Sequence, residues 1–263
     1  MEKLYVVKIG GNVIDDPDSL NTFLSDFAQI PSPKILVHGG GKMASGLAKR
    51  MGVSQAMVNG RRITDQETLK IAVMVYSGQL NKQIVSGLQA RNVNALGLSG
   101  ADLNLIRAKK RLVTDIDYGF AGDLAHDSVN VAVLQTLLNT AVVPVFSAIT
   151  HDGKGQLLNT NADTIASAIA AAMSGSFDVQ LNYCFEKRGV LLDPADDSSV
   201  IVKMNKTKYS ELSREGIISK GMIPKLENAF DAIGKGVGKV IIGHSGELIN
   251  MMEDEFTGTS LVG

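Results

Sequence analysis

Two glycine-rich turns, each with a lysine beside it, are the parts of this chain best suited to chemistry. Residues 8–11 read KIGG and residues 39–42 read GGGK, and each turn closes an apolar run. Because glycine has no Cβ, such a turn can point several main-chain N–H groups at one anion, and a lysine adds a mobile positive charge. Glycines also serve in ordinary βα turns, which would explain either string alone. The pair in tandem predicts a site for phosphate or carboxylate groups.

Two further strings place polar groups at the start of helices. Residues 159–163 read NTNAD and precede an alanine-rich stretch, which predicts a helix capped by Asn161 or Asp163. Residues 219–225 read SKGMIPK and lead into apolar residues at helical spacing, so Lys225 lies in the first turn of a helix. A cation is unfavourable at that end of the helix dipole. We therefore expect an anion to hold Lys225 there.

The elements that must position these residues follow from the hydrophobic pattern. Apolar strand candidates alternate with helical segments, which is typical of an α/β fold with a largely parallel sheet. The clearest helix starts at residues 64–67, which read TDQE and resemble a capping box. Residues 103–124 predict a β-hairpin that protrudes from the sheet. The strand candidates are residues 4–9, 34–38, 95–98, 142–147, 179–183 and 239–242.

Composition narrows the classes of protein to consider. A chain of 263 residues with 44% hydrophobic content can bury a full core and is neither disordered nor fibrous. Its formal net charge of −1 does not favour nucleic acid as a partner. Polar residues and a proline interrupt the apolar stretch 129–149, so we expect no membrane span. Cys184 is the only cysteine and no secretory signal is evident, so we expect a cytoplasmic protein.

Together, the four strings resemble the amino acid kinase superfamily, and within it the N-acetyl-L-glutamate kinases of arginine biosynthesis. The resemblance covers essentially the whole chain, and the order and separation of its motifs are specific. It implies a three-layer open αβα sandwich with a largely parallel central sheet. It also implies two lobes in one continuous fold, for acyl-amino acid binding with dimerisation and for ATP binding. The change in composition after the alanine-rich helix places these lobes at residues 1–175 and 176–263.

The resemblance also implies a role for each motif residue. Lys8 and Lys225 are the expected catalytic lysines, which stabilise the transferring phosphoryl group, and Asp163 is expected to orient both. The expected substrate-binding residues are Gly39, Gly40, Gly41, Arg62, Asn159 and Asn161. The expected cofactor-binding residues are Gly10 and Gly11, which form the turn over the ATP phosphates, and Tyr183, Lys187, Ser219 and Gly221.

The implied reaction is the ATP-dependent phosphorylation of the side-chain carboxylate of N-acetyl-L-glutamate. Such a carboxyl group has a pKa of about 4.3, so it is already ionised at neutral pH and needs no general base. The site must instead align two anions and neutralise the charge on the phosphoryl oxygens. Mg²⁺ is expected on the ATP phosphates with few protein ligands. The four histidines are scattered without ligand spacing, so we expect no metal site built from the protein itself.

Two departures from the family pattern leave alternatives open. Residues 182–191 replace the usual aspartate-containing nucleotide segment, and Lys187 or Arg188 could reach phosphate from there. Arg61 stands beside Arg62, at a position where the family often has leucine. If the Arg61 side chain turns inward, it favours a substrate with an extra carboxylate, such as a succinyl group. If it turns outward, Arg61 is a surface residue. One alternative is therefore a kinase for N-succinyl-L-glutamate or another acylated or carrier-linked amino acid. A non-catalytic anion-binding protein on the same fold is a more remote one.

For assembly, the resemblance implies a homodimer built partly on the long helix after Thr64. Arginine-inhibited members of the family carry an N-terminal helix that links dimers into hexamers, whereas the first strand here is expected from about Leu4. Residues 255–259 also look shortened relative to those members. We therefore expect an enzyme that arginine does not inhibit, with a small-molecule substrate and with neither nucleic acid nor membrane as a partner.

Overall fold

The computed structural model describes residues 1–31, 33–58, 61–218, 222–253 and 256–263. The first strands are β1 (Lys3–Ile9), β2 (Lys34–His38), β3 (Met57–Val58), β4 (Arg61–Arg62), β5 (Ala95–Leu98), β6 (Lys109–Lys110) and β7 (Gly122–Asp123). They are followed by β8 (Val143–Ser147), β9 (Ile149–His151), β10 (Leu157–Asn159), β11 (Asp178–Phe185), β12 (Lys203–Met204), β13 (Lys239–His244) and β14 (Thr259–Leu261). The α-helices are α1 (Gly11–Asp15), α2 (Pro17–Gln29), α3 (Gly41–Arg50), α4 (Gln66–Ala72), α5 (Asn81–Gln89), α6 (Val131–Asn139), α7 (Ala162–Met173), α8 (Lys206–Arg214) and α9 (Ile223–Gly234).

An eight-stranded sheet forms the centre of the structure, with the strand order β12-β14-β13-β11-β1-β2-β8-β5. From β13 to β5 all neighbouring strands are parallel, and these are the strands that the hydrophobic pattern predicted. The pair β13–β14 is antiparallel. Strands β1, β2 and β11 are buried along almost their whole length because helices cover both faces of the sheet.

The helices form two layers, one on each face of the sheet. Helices α7 and α9 pack against each other beside β1, β11 and β13, and α2 and α5 pack against each other in the opposite layer. This is the expected three-layer αβα sandwich. The predicted lobe boundary at residue 175 follows α7, and strands from both sides of it pair within one sheet. The division of the chain into two lobes stays a prediction.

The long helix after Thr64 begins one residue later than the TDQE string suggested. Asp65 is the N-cap, since its side chain accepts a hydrogen bond from the Thr68 main-chain N–H at 2.8 Å. The Thr64 hydroxyl instead donates to the Arg62 carbonyl at 3.2 Å and accepts from the Asn159 amide at 3.0 Å. From Gln66 the helix continues through a π-helical segment, Val73–Leu80, into α5.

The protruding hairpin predicted for residues 103–124 is present as the antiparallel pair β6–β7, in which Lys109 lies opposite Asp123. A second small hairpin, β9–β10, lies beside it, and bridges such as Ala121 to Asn159 connect the two. No helix in the part of the chain that the structure describes is both long enough and apolar enough to cross a membrane.

The parallel strands bring the two glycine turns together. Their carboxyl ends lie along one edge of the sheet, where ligands bind in open α/β folds. Strands β1 and β2 are neighbours in register, with Ile9 opposite His38, so the turns that follow these residues start side by side. The candidate site is therefore at this edge.

Candidate active site

Lys8, Asp163 and Lys225 meet at the carboxyl edge of the sheet. The Lys8 Nζ lies 2.7 Å from Oδ1 of Asp163, and the Lys225 Nζ lies 2.8 Å from Oδ2 of the same carboxylate. The side chains of Lys8 and Asp163 are 8% and 9% exposed, whereas that of Lys225 is 25% exposed. One carboxylate thus bridges two lysines that are far apart in the sequence, as the motifs implied. The cluster carries one more positive than negative charge.

Each member of this cluster comes from a different element. Lys8 is near the end of β1, Asp163 is in the first turn of α7, and Lys225 is in the first turn of α9. Helix α7 is capped by Asn161, whose side chain accepts from the Thr164 main-chain N–H at 3.1 Å. Its N-terminal dipole favours the Asp163 carboxylate. For Lys225 the same dipole effect is unfavourable, and the bond to Asp163 supplies the anion that the sequence predicted.

Burial and mutual attraction act in opposite directions on the charges of this cluster. Burial alone raises the pKa of Asp163, but the two ammonium groups more than offset it and hold the pKa at about 2. Burial is also the main influence on Lys8 and lowers its pKa, while the Asp163 carboxylate opposes the change. Asp163 therefore stays ionised and holds two cations, and its carboxylate is a poor proton acceptor.

A cavity of about 480 Å³, here called the amino acid cavity, opens on one side of the cluster. It is bounded by the second glycine turn, by the start of α7 and by the β6–β7 hairpin. All residues expected to bind the acylated amino acid line it: Gly39, Gly40, Gly41, Arg62, Asn159 and Asn161. The structure therefore brings this whole group together beside Lys8 and Asp163.

Protein contacts already hold the polar side chains of this cavity in place. The Arg62 guanidinium donates to the Gly41 carbonyl at 2.9 Å and to the Ser45 hydroxyl at 3.0 Å, and it also contacts Gln55. The Asn159 amide donates to the Thr64 hydroxyl at 3.0 Å. These contacts use both N–H groups of Nη2 and one of Nη1, so Arg62 offers the cavity a positive charge fixed in position. The cavity is thus preorganised for an anionic ligand.

A second cavity, about 740 Å³ in volume and here called the phosphate cleft, lies on the other side of Lys8. The first glycine turn lines it, together with the ends of β11 and α9. Its lining side chains include Lys8, Lys42, Lys187 and Lys225, and among the described residues that line it only Glu186 is acidic. The excess of cations suits a polyphosphate. Lys8, Gly11, Gly41 and Arg62 line both cavities, so a group bound in one can reach the other at the cluster.

A smaller apolar pocket of about 170 Å³ adjoins the phosphate cleft. It shares Lys187 and Met222 with the cleft, and its other walls are formed by Gly189, Val190, Leu191, Pro194, Ile217 and Ile218. The second half of the divergent segment 182–191 therefore borders a pocket of the kind that takes a flat apolar ring. Lys187 marks the junction, where its Nζ lies 2.7 Å from Asp197.

The other residues expected to bind the nucleotide do not all line the phosphate cleft. Gly10 and Gly11 line the phosphate cleft as expected. Tyr183 does not, because its side chain is fully buried beneath α7 and its hydroxyl donates to the Asp163 main-chain carbonyl at 3.1 Å. Its contribution is to position Asp163. Ser219 and Gly221 lie outside the described residues.

Several residues that face the site were not predicted. The Asn12 amide donates to Glu186 at 2.7 Å and closes the mouth of the phosphate cleft beside the first turn. Its position directly after the two glycines was a signal that could have identified it. Phe185 lies under Lys225, with the Nζ 5.2 Å from the ring centroid. Tyr76 lines the amino acid cavity, and no prediction from the sequence singled it out.

Comparison with known families agrees with this geometry. The model of a family described as the amino acid kinase family matches residues 3–244. The chain belongs to the amino acid kinase family. The resemblance found in the motifs is thereby confirmed, and so is the fold class.

Relatives within this family match nearly the whole chain. The acetylglutamate kinase of Bacteroides fragilis is 55% identical over 241 residues, which are 92% of this chain and 92% of that protein. The acetylglutamate kinase of Cytophaga hutchinsonii is 52% identical over 264 residues, 100% of this chain and 99% of that protein. Among solved structures, N-acetylglutamate synthase from Neisseria gonorrhoeae has a TM-score of 0.83 at 20% identity. That match covers 99% of this chain and 59% of the synthase chain, and it shows a shared fold.

Proposed function

We propose that the protein transfers the γ-phosphoryl group of ATP to the side-chain carboxylate of N-acetyl-L-glutamate, a step of arginine biosynthesis. The observation that carries this proposal is the Lys8–Asp163–Lys225 cluster, which lies between a cavity suited to an anionic amino acid and a cleft suited to a polyphosphate. The acetylglutamate kinases that match nearly the whole chain support the choice of acceptor.

The amino acid cavity determines how the acceptor is oriented. Arg62 pairs with the α-carboxylate. Asn159 holds the acylated portion, together with the main-chain N–H groups of the second glycine turn. The side-chain carboxylate then points to Lys8 and the phosphate cleft. This orientation places the nucleophile next to the phosphoryl group before reaction, which removes much of the entropic part of the barrier.

At the cluster, one bond forms and one breaks. An oxygen of the substrate carboxylate attacks the γ-phosphorus, and the bond from that phosphorus to the bridging oxygen breaks, so ADP leaves with the electron pair. No proton moves, since the attacking carboxylate is already ionised. Lys8 and Lys225 neutralise the charge that spreads over the phosphoryl oxygens. Asp163 keeps both ammonium groups in place. The product is the acyl phosphate N-acetyl-L-glutamyl 5-phosphate.

The nucleotide occupies the phosphate cleft with its base in the apolar pocket. The main chain of Gly10 and Gly11 faces the phosphates, and Lys187 lies between the cleft and the pocket. An adenine ring is flat and largely apolar on its faces, which matches walls such as Val190 and Ile218. The experiment for this placement is ATP protection of the segment 187–191 against hydrogen exchange.

The donor set fits Mg²⁺ carried on the nucleotide phosphates. No group of three or more His, Cys, Asp or Glu side chains in the described ranges could hold a metal ion, and Glu186 is the acidic side chain that lines the cleft there. When bound, Mg²⁺ neutralises phosphate charge and orients the leaving group. Within the protein, the Asn12 amide donates to Glu186, the acidic side chain of the cleft.

An assay of the acyl phosphate product tests the proposed function. The purified chain is incubated with ATP, MgCl₂, hydroxylamine and N-acetyl-L-glutamate, since hydroxylamine converts an acyl phosphate to a coloured hydroxamate. We expect hydroxamate and ADP in equal amounts, and none with N-acetyl-L-glutamine, which lacks the side-chain carboxylate. Absence of hydroxamate with every acylated glutamate would show that the protein is a non-catalytic anion-binding member of the fold.

N-succinyl-L-glutamate is a second candidate acceptor, because Arg61 and Arg111 both line the amino acid cavity. Arg61 lines this cavity and is also an exposed residue, so the inward alternative stays a hypothesis. Arg111 lies in the hairpin and bonds to Asp123, which offsets its charge. We expect Arg61→Leu to shift the ratio of kcat/KM for succinyl over acetyl substrate toward acetyl by about tenfold. Arg214→Leu, on α8, is the control. An unchanged ratio would show that Arg61 is a surface residue without a role in substrate recognition, and acetyl would remain the expected acyl group.

We propose that the protein acts as a cytoplasmic homodimer. The long helix from Gln66 to Gln89 supports this assembly, with Met74 47% exposed on its π-helical segment, and Leu96 on the adjacent sheet edge is 38% exposed. Light scattering tests the assembly, and we expect the mass of two chains. A monomer or a hexamer would contradict it. The same samples, assayed with millimolar arginine, test the expected lack of inhibition.

A further inference from the structure

Tyr76 lies where the long helix passes the amino acid cavity. It belongs to the π-helical segment Val73–Leu80, its side chain is 5% exposed, and it lines the cavity together with Gly40 and Arg62. A π-helical turn changes the direction of side chains relative to an α-helix and is frequent at functional sites. Tyr76 is thus a polar side chain in the wall of the binding cavity.

The neighbours of Tyr76 fix its ring. A Cβ atom on Gly40 would lie 2.9 Å from Cδ1 of Tyr76 and 2.3 Å from Cδ1 of Leu80, so both side chains pack on the bare glycine. The next residue, Ser77, shares a hydrogen bond of 2.7 Å with Ser147, which connects this part of the helix to β8. The ring therefore has little freedom to turn away from the cavity.

Tyr76 and Arg62 both line the amino acid cavity and contact consecutive residues of the second glycine turn, since the Tyr76 ring packs on Gly40 and the Arg62 guanidinium donates to the Gly41 carbonyl. Burial raises the pKa of Tyr76, and the charge and hydrogen bonding of the Arg62 guanidinium oppose this shift. The hydroxyl is thus a neutral donor at physiological pH. Arg62 uses part of its guanidinium on Gly41 and Ser45. A carboxylate that pairs with the remaining N–H groups brings an acceptor oxygen beside the tyrosine.

We propose that Tyr76 is a specificity-determining residue of the amino acid site, whose hydroxyl donates a hydrogen bond to the same carboxylate that pairs with Arg62. This rests on the proposed function, in which the ligand is an acylated amino acid with a free α-carboxylate. A site built to donate hydrogen bonds to a group discriminates strongly against analogues that cannot accept them. Tyr76 and Arg62 together therefore reject substrates that lack the α-carboxylate.

The test is Tyr76→Phe, which keeps the ring on Gly40 and removes only the hydroxyl. We expect KM for N-acetyl-L-glutamate to rise on the order of tenfold, the size of one hydrogen bond to a charged group, with kcat and the KM for ATP within about twofold. Tyr209→Phe is the matched control, because Tyr209 packs on Phe230 away from the cavity and should change neither constant.

A second measurement separates recognition from a structural role. The ratio of kcat/KM for N-acetyl-L-glutamate over 4-acetamidobutyrate, which lacks the α-carboxylate, should be large in the native protein and about tenfold smaller in Tyr76→Phe. An unchanged ratio, or a fall in kcat and melting temperature with the ratio preserved, would overturn the proposal. Failure of the proposed function is distinguishable, since the native protein would then form no hydroxamate with any acylated glutamate.

Discussion

The two glycine turns are alike in sequence and differ in the reason for their glycines. At Gly11, in the first turn, a Cβ atom would meet nothing within 4 Å. At Gly40, in the second turn, φ is 155° and a Cβ atom would lie 2.3 Å from Leu80. The protein itself therefore has no need of glycine at position 11, where the space is open to the phosphate cleft. At position 40 the backbone and the packing both require glycine.

The supports beneath the two turns differ as well. The first turn is held by the main chain, since the Gly10 N–H donates to the Cys184 carbonyl at 2.8 Å. The second turn rests on side chains. His38 Nδ1 lies 2.9 Å from the Gly39 carbonyl, and its Nε2 lies 3.1 Å from the Asn81 amide, which also donates to the Val145 carbonyl at 2.9 Å. The first turn serves mainly the ligand, and the second serves both the ligand and the fold.

The largest expected effect concerns the cluster beside the first turn. Lys8→Ala and Lys225→Ala should each lower kcat by on the order of a hundredfold or more, because each removes transition-state charge stabilisation from a site with little water. Steady-state kinetics measure this effect. Lys235→Ala is the control, because Lys235 caps the C-terminal end of α9 and pairs with Asp231 on the surface. Near-normal turnover in either variant would show that the cluster is not the reaction centre.

Replacement of the bridging carboxylate should change the pH dependence of turnover. Burial lowers the pKa of Lys8 and Asp163 opposes this, so Asp163→Asn should lower the Lys8 pKa further. Lys8 stabilises the transition state only when protonated, and activity is lost as pH rises through its pKa. We therefore expect the Asn variant to fold, to have much lower kcat, and to lose its remaining activity at lower pH than the native protein. A pH–rate profile with an unshifted alkaline limb would refute this role.

Substitutions at the two turns test the comparison itself. Gly40→Ala should lower the free energy of unfolding by about 2 kcal/mol or more, since it combines a strained φ with overpacking against Leu80 and Tyr76. Gly11→Ala should leave that free energy within about 0.5 kcal/mol and raise the KM for ATP. Urea denaturation and ATP titrations measure the two effects. Equal destabilisation by both substitutions would show that the turns do not differ in this way.

His38 should make the support of the second turn sensitive to acid. Burial lowers the pKa of His38 to about 4, below its ordinary value of 6.5. The unfolded chain then binds a proton that the folded protein excludes, so stability is complete above pH 6.5 and is lost as pH falls towards 4. The loss from this residue should reach about 3 kcal/mol. Urea denaturation at several pH values should show a flatter profile for His38→Gln, and an unchanged slope would exclude His38 as its source.

The smallest expected effect is at the junction of the phosphate cleft and the apolar pocket. Lys187 is partly exposed and paired with Asp197, so solvent screens its attraction to phosphate. Lys187→Ala should raise the KM for ATP by roughly threefold and leave the KM for the amino acid unchanged. Lys154→Ala, on the hairpin side of the molecule, is the control. A hundredfold loss of kcat would instead place Lys187 with Lys8 and Lys225 at the reacting phosphoryl group.

Local patterns in the sequence determined the parallel strands, the alanine-rich helix, the hairpin and the principal members of the site. These features follow from interactions between residues close in the chain, such as strand alternation, capping by Asn161 and the turns that glycine permits. The motif strings likewise singled out Lys8, Asp163 and Lys225, because their order and spacing resemble those of the amino acid kinase family, to which the chain belongs.

Only the tertiary structure decided which side chains face a ligand. Tyr183 was predicted to bind the nucleotide and Tyr76 was not singled out, yet Tyr183 is buried beneath Asp163 and Tyr76 forms part of the cavity wall. The same holds for the two turns, where glycine is needed at position 40 because Leu80 approaches from a distant helix. Which side chains face a ligand depends on how separate elements pack against each other. Packing brings together residues that are far apart in the chain, and no local sequence pattern predicts these contacts.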